Sequence, residues 1–126
     1  MGNRDTGDVG RRAESLAFRY LCDRGLVPIA RNFRSRGGEI DLIMLDGSCL
    51  TFIEVRSRRS ARFARPASTV DARKQRKIIG TAAMFIVRHE RFANHTMRFD
   101  VVSIEGAARP RIHWVCDAFR PEDSAL

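Results

Sequence analysis

The segment Gly38–Arg56 constrains the fold more than any other part of this chain. It contains two runs rich in Ile, Leu, Val and Phe, and the pair Asp46-Gly47 lies between them. An Asp-Gly pair between two apolar runs of strand length is a strong signal for a β-hairpin. The sequence therefore predicts two antiparallel strands, over Glu39–Leu45 and Cys49–Arg56.

Two helices are predicted, one before the hairpin and one after it. Apolar residues repeat at helical spacing over Val9–Arg24, with Asp8 as the candidate N-cap and Gly25 as the stop signal. The same spacing recurs over Ala72–Arg88, with Asp71 as the candidate N-cap. Each apolar stripe predicts a helix face that packs against a sheet.

Three further strands complete the predicted layout. They lie over Leu26–Phe33, Met97–Ile104 and Arg111–Val115, and Pro28 favours a sheet edge for the first of them. The resulting order, α-β-β-β-α-β-β, is typical of an α/β layered domain whose central sheet is flanked by helices. A length of 126 residues fits a single domain over residues 1–126, with an ordered core at about residues 9–120.

The positive charge of the chain is concentrated in one segment. The net charge is +8, and residues 56–77 account for all of it, with nine cations and the single anion Asp71. The cations are Arg56, Arg58, Arg59, Arg62, Arg65, Arg73, Lys74, Arg76 and Lys77. Codon usage explains a preference for Arg over Lys, but it does not explain why acidic residues are missing here alone. We therefore expect this segment to bind the phosphates of a nucleic acid.

Composition argues against a secreted or membrane-embedded protein. The three cysteines, Cys22, Cys49 and Cys116, are too few and too scattered for a disulfide framework or a zinc site. They indicate a reducing compartment, so we expect a cytoplasmic location. The longest uncharged and mostly apolar run, Ile78–Val87, has ten residues, half of what a membrane span requires. No membrane partner is expected.

The hairpin also predicts that two carboxylates meet. If Asp46-Gly47 is a two-residue turn, Asp41 lies diagonally across from Glu54, and a four-residue loop would place the two residues directly opposite each other. Either even-length loop keeps both side chains on one face, within roughly 4.5–8 Å. An odd-length loop or a bulge would disrupt this arrangement.

Paired carboxylates on a half-buried sheet cost energy unless a cation compensates them. Mg²⁺ or Mn²⁺ is the expected cation, with Asp41 and Glu54 as its ligands, because such ions take carboxylate oxygens together with water and phosphate. Arg56 would add a fixed positive charge beside the same phosphate. The alternative interpretation is that both acids pair with nearby arginines on a solvated sheet face.

Several motifs of the chain together resemble one protein family. The resemblance extends from about residue 10 to residue 119, and three segments carry most of it. These are Gly37-Gly38-Glu39-Ile40-Asp41-Leu42-Ile43, Phe52-Ile53-Glu54-Val55-Arg56 and Val70-Asp71-Ala72-Arg73-Lys74-Gln75. They resemble the YraN-type family, whose members are expected to share the PD-(D/E)xK endonuclease fold and are related to archaeal Holliday-junction resolvases.

The resemblance implies a restriction-endonuclease-like domain with a mixed five-stranded sheet. It also implies metal-dependent hydrolysis of structured DNA, branched DNA included, with DNA favoured over RNA. The implied catalytic residues are Asp41, Glu54, Arg56, Glu14 and Gln75. A homodimer is a further expectation, because a four-way junction has two-fold symmetry.

One residue departs from the pattern of that superfamily. Its third active-site position is usually Lys, whereas this chain has Arg56, which stays protonated and cannot act as a base. A second hypothesis is therefore a nucleic-acid-binding module of the same fold that does not cut. A third is a structural protein whose basic segment binds ribosomal RNA or an acidic partner.

Overall fold

The computed structural model describes residues 2–58, 70–106 and 108–121, and for residues 2–9 it describes the backbone alone. Its two helices and five strands follow the predicted order. They are α1 (Gly2–Asp23), β1 (Val27–Ser35), β2 (Gly38–Asp46), β3 (Cys49–Arg58), α2 (Ala72–Arg88), β4 (Thr96–Glu105) and β5 (Arg111–Phe119), with a short 3₁₀ turn at Glu90–Phe92.

The five strands form one mixed sheet in the order β1-β2-β3-β4-β5. Three of the four strand pairs are antiparallel, and only β3 and β4 run parallel. This parallel pair requires a crossover, and the connection between its strands contains α2. The expected α/β architecture with a mixed five-stranded sheet is confirmed, as is the edge position of β1.

Each helix covers its own face of the sheet. Ala13, Ala17 and Leu21 of α1 pack on one face, in a cluster that includes Leu42 and Val102. The other face carries the α2 residues of a second buried cluster, which are Ile78, Ala82 and Phe85. Both faces of β2 and β3 are therefore buried, which explains why these two strands read as nearly continuous apolar runs.

The boundaries of α2 match the prediction, and Asp71 is its N-cap. The Asp71 carboxylate accepts a hydrogen bond from the Lys74 amide at 2.8 Å. At the other helix, Gly25 provides the expected stop, with φ of 94°. The start of α1 was predicted wrongly, because the helix begins at Gly2 and Asp8 lies inside it.

The hairpin closes in the second of the two predicted registers. Asp46 pairs with Cys49 across a turn at Gly47-Ser48, and Leu42 pairs with Ile53. This turn is one residue later than Asp46-Gly47, and it uses the left-handed φ of 60° at Gly47, which glycine adopts without steric cost. The continued register places Asp41 opposite Glu54.

Within the described residues, neither helix is long and apolar enough to cross a membrane.

Candidate functional site: a carboxylate pair between two strands

The candidate site lies where β2 and β3 separate. Their regular pairing ends at Leu42 and Ile53, one position before Asp41 and Glu54 would pair. On the other side of β2, the register places Asn32 opposite Asp41, and Asn32 has a left-handed φ of 53°. The sheet is thus irregular on both sides of Asp41, which leaves space for a side chain between the strands.

The local irregularity also interrupts the alternation of side chains along β2. Ile40 and Ile43 both belong to the cluster under α2, although they are three residues apart. Leu42, between them, belongs to the cluster under α1. A regular strand would put Ile40 and Ile43 on opposite faces, so the break falls at Asp41.

The side chain of Asp41 connects β2 to β3. Its Oδ2 accepts a hydrogen bond from the Val55 amide at 2.7 Å, and its side chain also shares a hydrogen bond with Glu54. Only 8% of the residue is exposed. Burial, together with the neighbouring carboxyl of Glu54, raises the pKa of Asp41 to about 8.

Glu54 has a cationic partner on α2. Lys74 Nζ lies 3.3 Å from Glu54 Oε2, and the Glu54 side chain is 12% exposed against 47% for Lys74. Lys74 is in the first turn of α2, where its amide is held by the Asp71 cap. Both carboxyl groups are therefore neutralised without a metal, Asp41 by a proton and Glu54 by an ammonium group.

Glu14 approaches the pair from α1, on the other side of β2. Burial raises the pKa of Glu14, and the charge of Asp41 raises it further. A hydrogen bond with the Asn32 side chain and the charge of Arg31 act in the opposite direction. Asn32, the irregular residue of β1, therefore connects Glu14 to the region of Asp41.

The other two expected site residues have different surroundings. Arg56 is half-buried on β3, two residues after Glu54, in register with Ser103 of β4. Gln75 follows Lys74 on α2, and its side-chain amide donates to the Val70 carbonyl at 2.6 Å. That contact fixes the start of α2, so Gln75 supports the element that carries Lys74.

The described part of the basic segment presents an exposed row of cations on α2. Arg73, Arg76 and Lys77 are exposed there together with Lys74. Arg58 ends β3, and its carbonyl accepts a hydrogen bond from Gly106 at 2.9 Å. The remaining predicted phosphate contacts lie outside the described residues. These are Arg59, Arg62 and Arg65.

The two carboxyl groups at the site offer oxygen ligands of the kind that a hard divalent cation binds, but they fill only part of its coordination shell. Two carboxylates, of which one is stabilised by protonation, form the kind of site in which a divalent ion replaces a proton. Among the described residues, however, no group of three or more His, Cys, Asp or Glu is placed to hold a metal. A metal at Asp41 and Glu54 would therefore complete its coordination with water or substrate oxygens, as Mg²⁺ commonly does.

Sequence reasoning did not place the Lys74–Glu54 ion pair. The signal was present in part, because the Asp71 cap put Lys74 in the first turn of α2. What the sequence lacked was the way in which α2 packs across β2. Gly38, at the start of β2, has Thr81 and Lys77 of α2 as its nearest neighbours. This close packing places the first turn of α2 beside Glu54 of β3.

Fold and site together define an α/β protein with a buried acidic pair under a basic helix. The model of the family described as "Uncharacterised protein family UPF0102" matches residues 13–104. The chain is 44% identical to a UPF0102 protein of Stutzerimonas stutzeri over 111 residues, covering 87% of this chain and 92% of that protein. It is 46% identical to one of Xanthomonas campestris pv. campestris over 114 residues, covering 90% and 93% of the two chains. The chain belongs to the UPF0102 family, which confirms the YraN-type resemblance.

Proposed function

We propose that this protein is a nucleic-acid-binding, metal-dependent endonuclease-like hydrolase that cleaves phosphodiesters of structured DNA, branched DNA included. The observation that carries the proposal is the meeting of Asp41 and Glu54 between β2 and β3. A fold gains no stability from a buried aspartate beside a second carboxyl group, because the buried acid must hold a proton to stay there. Such an arrangement is typical of sites selected for chemistry.

Asp41 and Glu54 would hold Mg²⁺ or Mn²⁺. Such a metal supplies an activated water and stabilises negative charge on the phosphodiester. The chain's own residues add to this from two sides. Arg56, two residues beyond Glu54 on β3, provides a permanent positive charge, and Glu14 adds a carboxyl near Asp41.

The exposed cations of α2 support nucleic acid as the substrate. Arg73, Lys74, Arg76 and Lys77 surround the start of the helix nearest to Glu54. A phosphate backbone held there would lie beside the carboxylate pair, so the same surface would bind and position the substrate.

Cleavage of a substrate panel tests this proposal. Four-way junctions, flaps, duplexes and single strands are incubated with wild-type protein and Mn²⁺ or Mg²⁺. Asp41→Asn preserves the shape of the side chain, and we expect it to lower the cleavage rate by about 100-fold or more, as loss of a metal ligand does. Asp46→Asn is the matched control, because it makes the same chemical change at the other end of the same strand, where Asp46 pairs with Arg98 at 2.9 Å. Equal cleavage by wild type and Asp41→Asn would refute the assignment.

Arg56 favours a second candidate function, a binding module that does not cut. An arginine cannot accept a proton from an attacking water at neutral pH. This candidate predicts salt-sensitive DNA binding without turnover in any divalent ion. Arg56→Lys separates the two functions. If that variant gains cleavage, the arginine is what prevents cleavage in the wild type.

A further inference from the structure

The Lys74–Glu54 ion pair joins two elements that are far apart in sequence. Glu54 lies on β3, the central strand of the sheet, and its side chain is 12% exposed. Lys74 reaches it from the exposed first turn of α2, and about half of the lysine side chain remains in contact with solvent. A lysine has four rotatable side-chain bonds, so its ammonium group can leave Glu54 without any change in the backbone.

Glu54 cannot pair fully with the Lys74 ammonium group and with a divalent ion at the same time. A divalent ion bound between Asp41 and Glu54 would lie within a few ångströms of an ammonium group that is itself 3.3 Å from Glu54 Oε2. At that range, like charges repel strongly in a partly buried site. Metal binding must therefore displace Lys74 from Glu54 or be weakened by it.

We propose that Lys74 is an exchangeable counter-ion, which neutralises Glu54 in the metal-free protein and, when a metal replaces it, moves to a phosphate of the bound nucleic acid. This inference rests on the proposed function and deepens it. It makes the metal and the nucleic acid bind cooperatively, because the metal releases a cation that the phosphate then takes up. By linkage, each ligand must strengthen the binding of the other by the same factor.

Position 77 provides the matched control. Lys77 lies three residues further along the same helix, is also exposed, and packs its Cβ beside Gly38 at the start of β2. Lys77→Met and Lys74→Met remove the same charge from the same surface. A difference between the two variants therefore reports the ion pair with Glu54 and not the general charge of α2.

The first measurement is a calorimetric titration of the full chain with Mn²⁺ alone. Wild type, Lys74→Met, Lys77→Met and Asp41→Asn are compared, and circular dichroism confirms that each variant is folded. We expect Lys74→Met to bind Mn²⁺ about three- to fivefold more tightly than wild type, the upper part of the range for a partly exposed ion pair. Lys77→Met should stay within about twofold of wild type, because charges at the exposed surface are screened.

The second measurement is the affinity for a four-way DNA junction with and without Ca²⁺, an oxygen-seeking ion that reports binding. Wild type and Lys77→Met should gain affinity when Ca²⁺ is added. Lys74→Met should lose most of that gain, because it has no ammonium group to transfer to a phosphate.

The outcomes separate this inference from the proposed function. If wild type binds Mn²⁺ no better than Asp41→Asn does, there is no metal site, and the proposed function and the inference both fail. If wild type binds Mn²⁺ and Lys74→Met binds it with the same affinity, the counter-ion role fails and the metal site stands. An equal Ca²⁺ gain in Lys74→Met and Lys77→Met would also overturn the transfer to phosphate.

Discussion

Asp41 and Asp100 are both buried aspartates of the central sheet, and their surroundings differ. Asp100 is fully buried on β4 and accepts four hydrogen bonds. Two come from the Arg98 guanidinium at 2.8 and 2.9 Å, one from Trp114 Nε1 at 3.0 Å and one from the Asp117 amide at 2.9 Å. Asp41 accepts one backbone hydrogen bond and otherwise faces another carboxyl group.

The two buried acids differ in how their charge is compensated. The charge of Asp100 is matched by a guanidinium, and its hydrogen bonds with Arg98 in turn raise the pKa of that arginine. Asp41 faces Glu54 instead, and burial together with this neighbouring carboxyl raises the pKa of Asp41 to about 8. Burial is common to both residues. Compensation is what distinguishes them.

Removing the compensated acid has the largest expected effect on stability. Asp100→Ala removes the acceptor of the Trp114 indole and the Asp117 amide, and it removes two of the three hydrogen bonds that the Arg98 guanidinium donates to carboxylates. We expect a loss of about 3–5 kcal/mol in the free energy of unfolding, measured by urea denaturation. Asp46→Asn is the control, since Asp46 makes one bond to Arg98 at 2.9 Å and is 40% exposed. A loss below about 1 kcal/mol for Asp100→Ala would contradict the structural role of this cluster.

Removing the uncompensated acid should have the opposite sign. In Asp41→Asn, the amide oxygen can still accept from Val55 and the amide nitrogen can donate to Glu54, as the protonated acid does. We expect the variant to be more stable than wild type at pH 8, because the unfolded wild type is ionised at Asp41 while the folded protein disfavours that charge. The melting temperature should rise by about 4 °C or more, measured without divalent ions. A lower melting temperature would mean that the Asp41 charge stabilises the fold.

The pH dependence of this gain follows from the direction of the shift. Asp41 has an ordinary pKa of 3.8 and a pKa of about 8 in the folded protein. Between these values the folded state holds a proton that the unfolded state has lost, so wild-type stability falls as the pH rises. The advantage of Asp41→Asn should be near zero at pH 4, grow through neutral pH and level off above pH 8. An advantage that does not change across this range would show that Asp41 does not titrate there.

Most of the fold could be predicted because its signals are local. The apolar stripe of α2, its Asp71 cap and the glycine of the hairpin turn each fix a nearby piece of backbone. The prediction was less accurate for β5, which continues past Val115 to Phe119. That extension depends on Asp117, which adopts a φ of 55° while its amide donates to Asp100 on the neighbouring strand. A contact between distant residues holds this part of the strand, and no local pattern reveals it.

The sequence predicted which two carboxylates meet at the candidate site, but it did not predict the backbone geometry that brings them together. The spacing of Asp41 and Glu54 was sufficient to bring them together in either register. It gave no indication that the strands separate there, or that Asn32 departs from strand geometry opposite Asp41. The same holds for Lys74, whose contact with Glu54 depends on how α2 crosses β2. Asp100 differs in this respect, because its ion-pair partner Arg98 lies only two residues away on the same strand, at 2.8 Å.

The smallest effect comes from removing a single donor at Asp100. Trp114→Phe deletes the indole N–H bond of 3.0 Å and leaves the three bonds from Arg98 and the Asp117 amide in place. Because Asp100 keeps its guanidinium, we expect a loss of only about 1 kcal/mol in the free energy of unfolding, followed by circular dichroism in urea. Tyr20→Phe is the control, since the ring of Tyr20 meets that of Trp114 edge-on at 6.5 Å and the variant preserves the ring. A loss for Trp114→Phe as large as that for Asp100→Ala would contradict this expectation. It would mean that the ion pair with Arg98 is not what stabilises the buried Asp100 carboxylate. Asp100 and Asp41 would then differ in the number of hydrogen-bond donors around them and not in the presence of a cation.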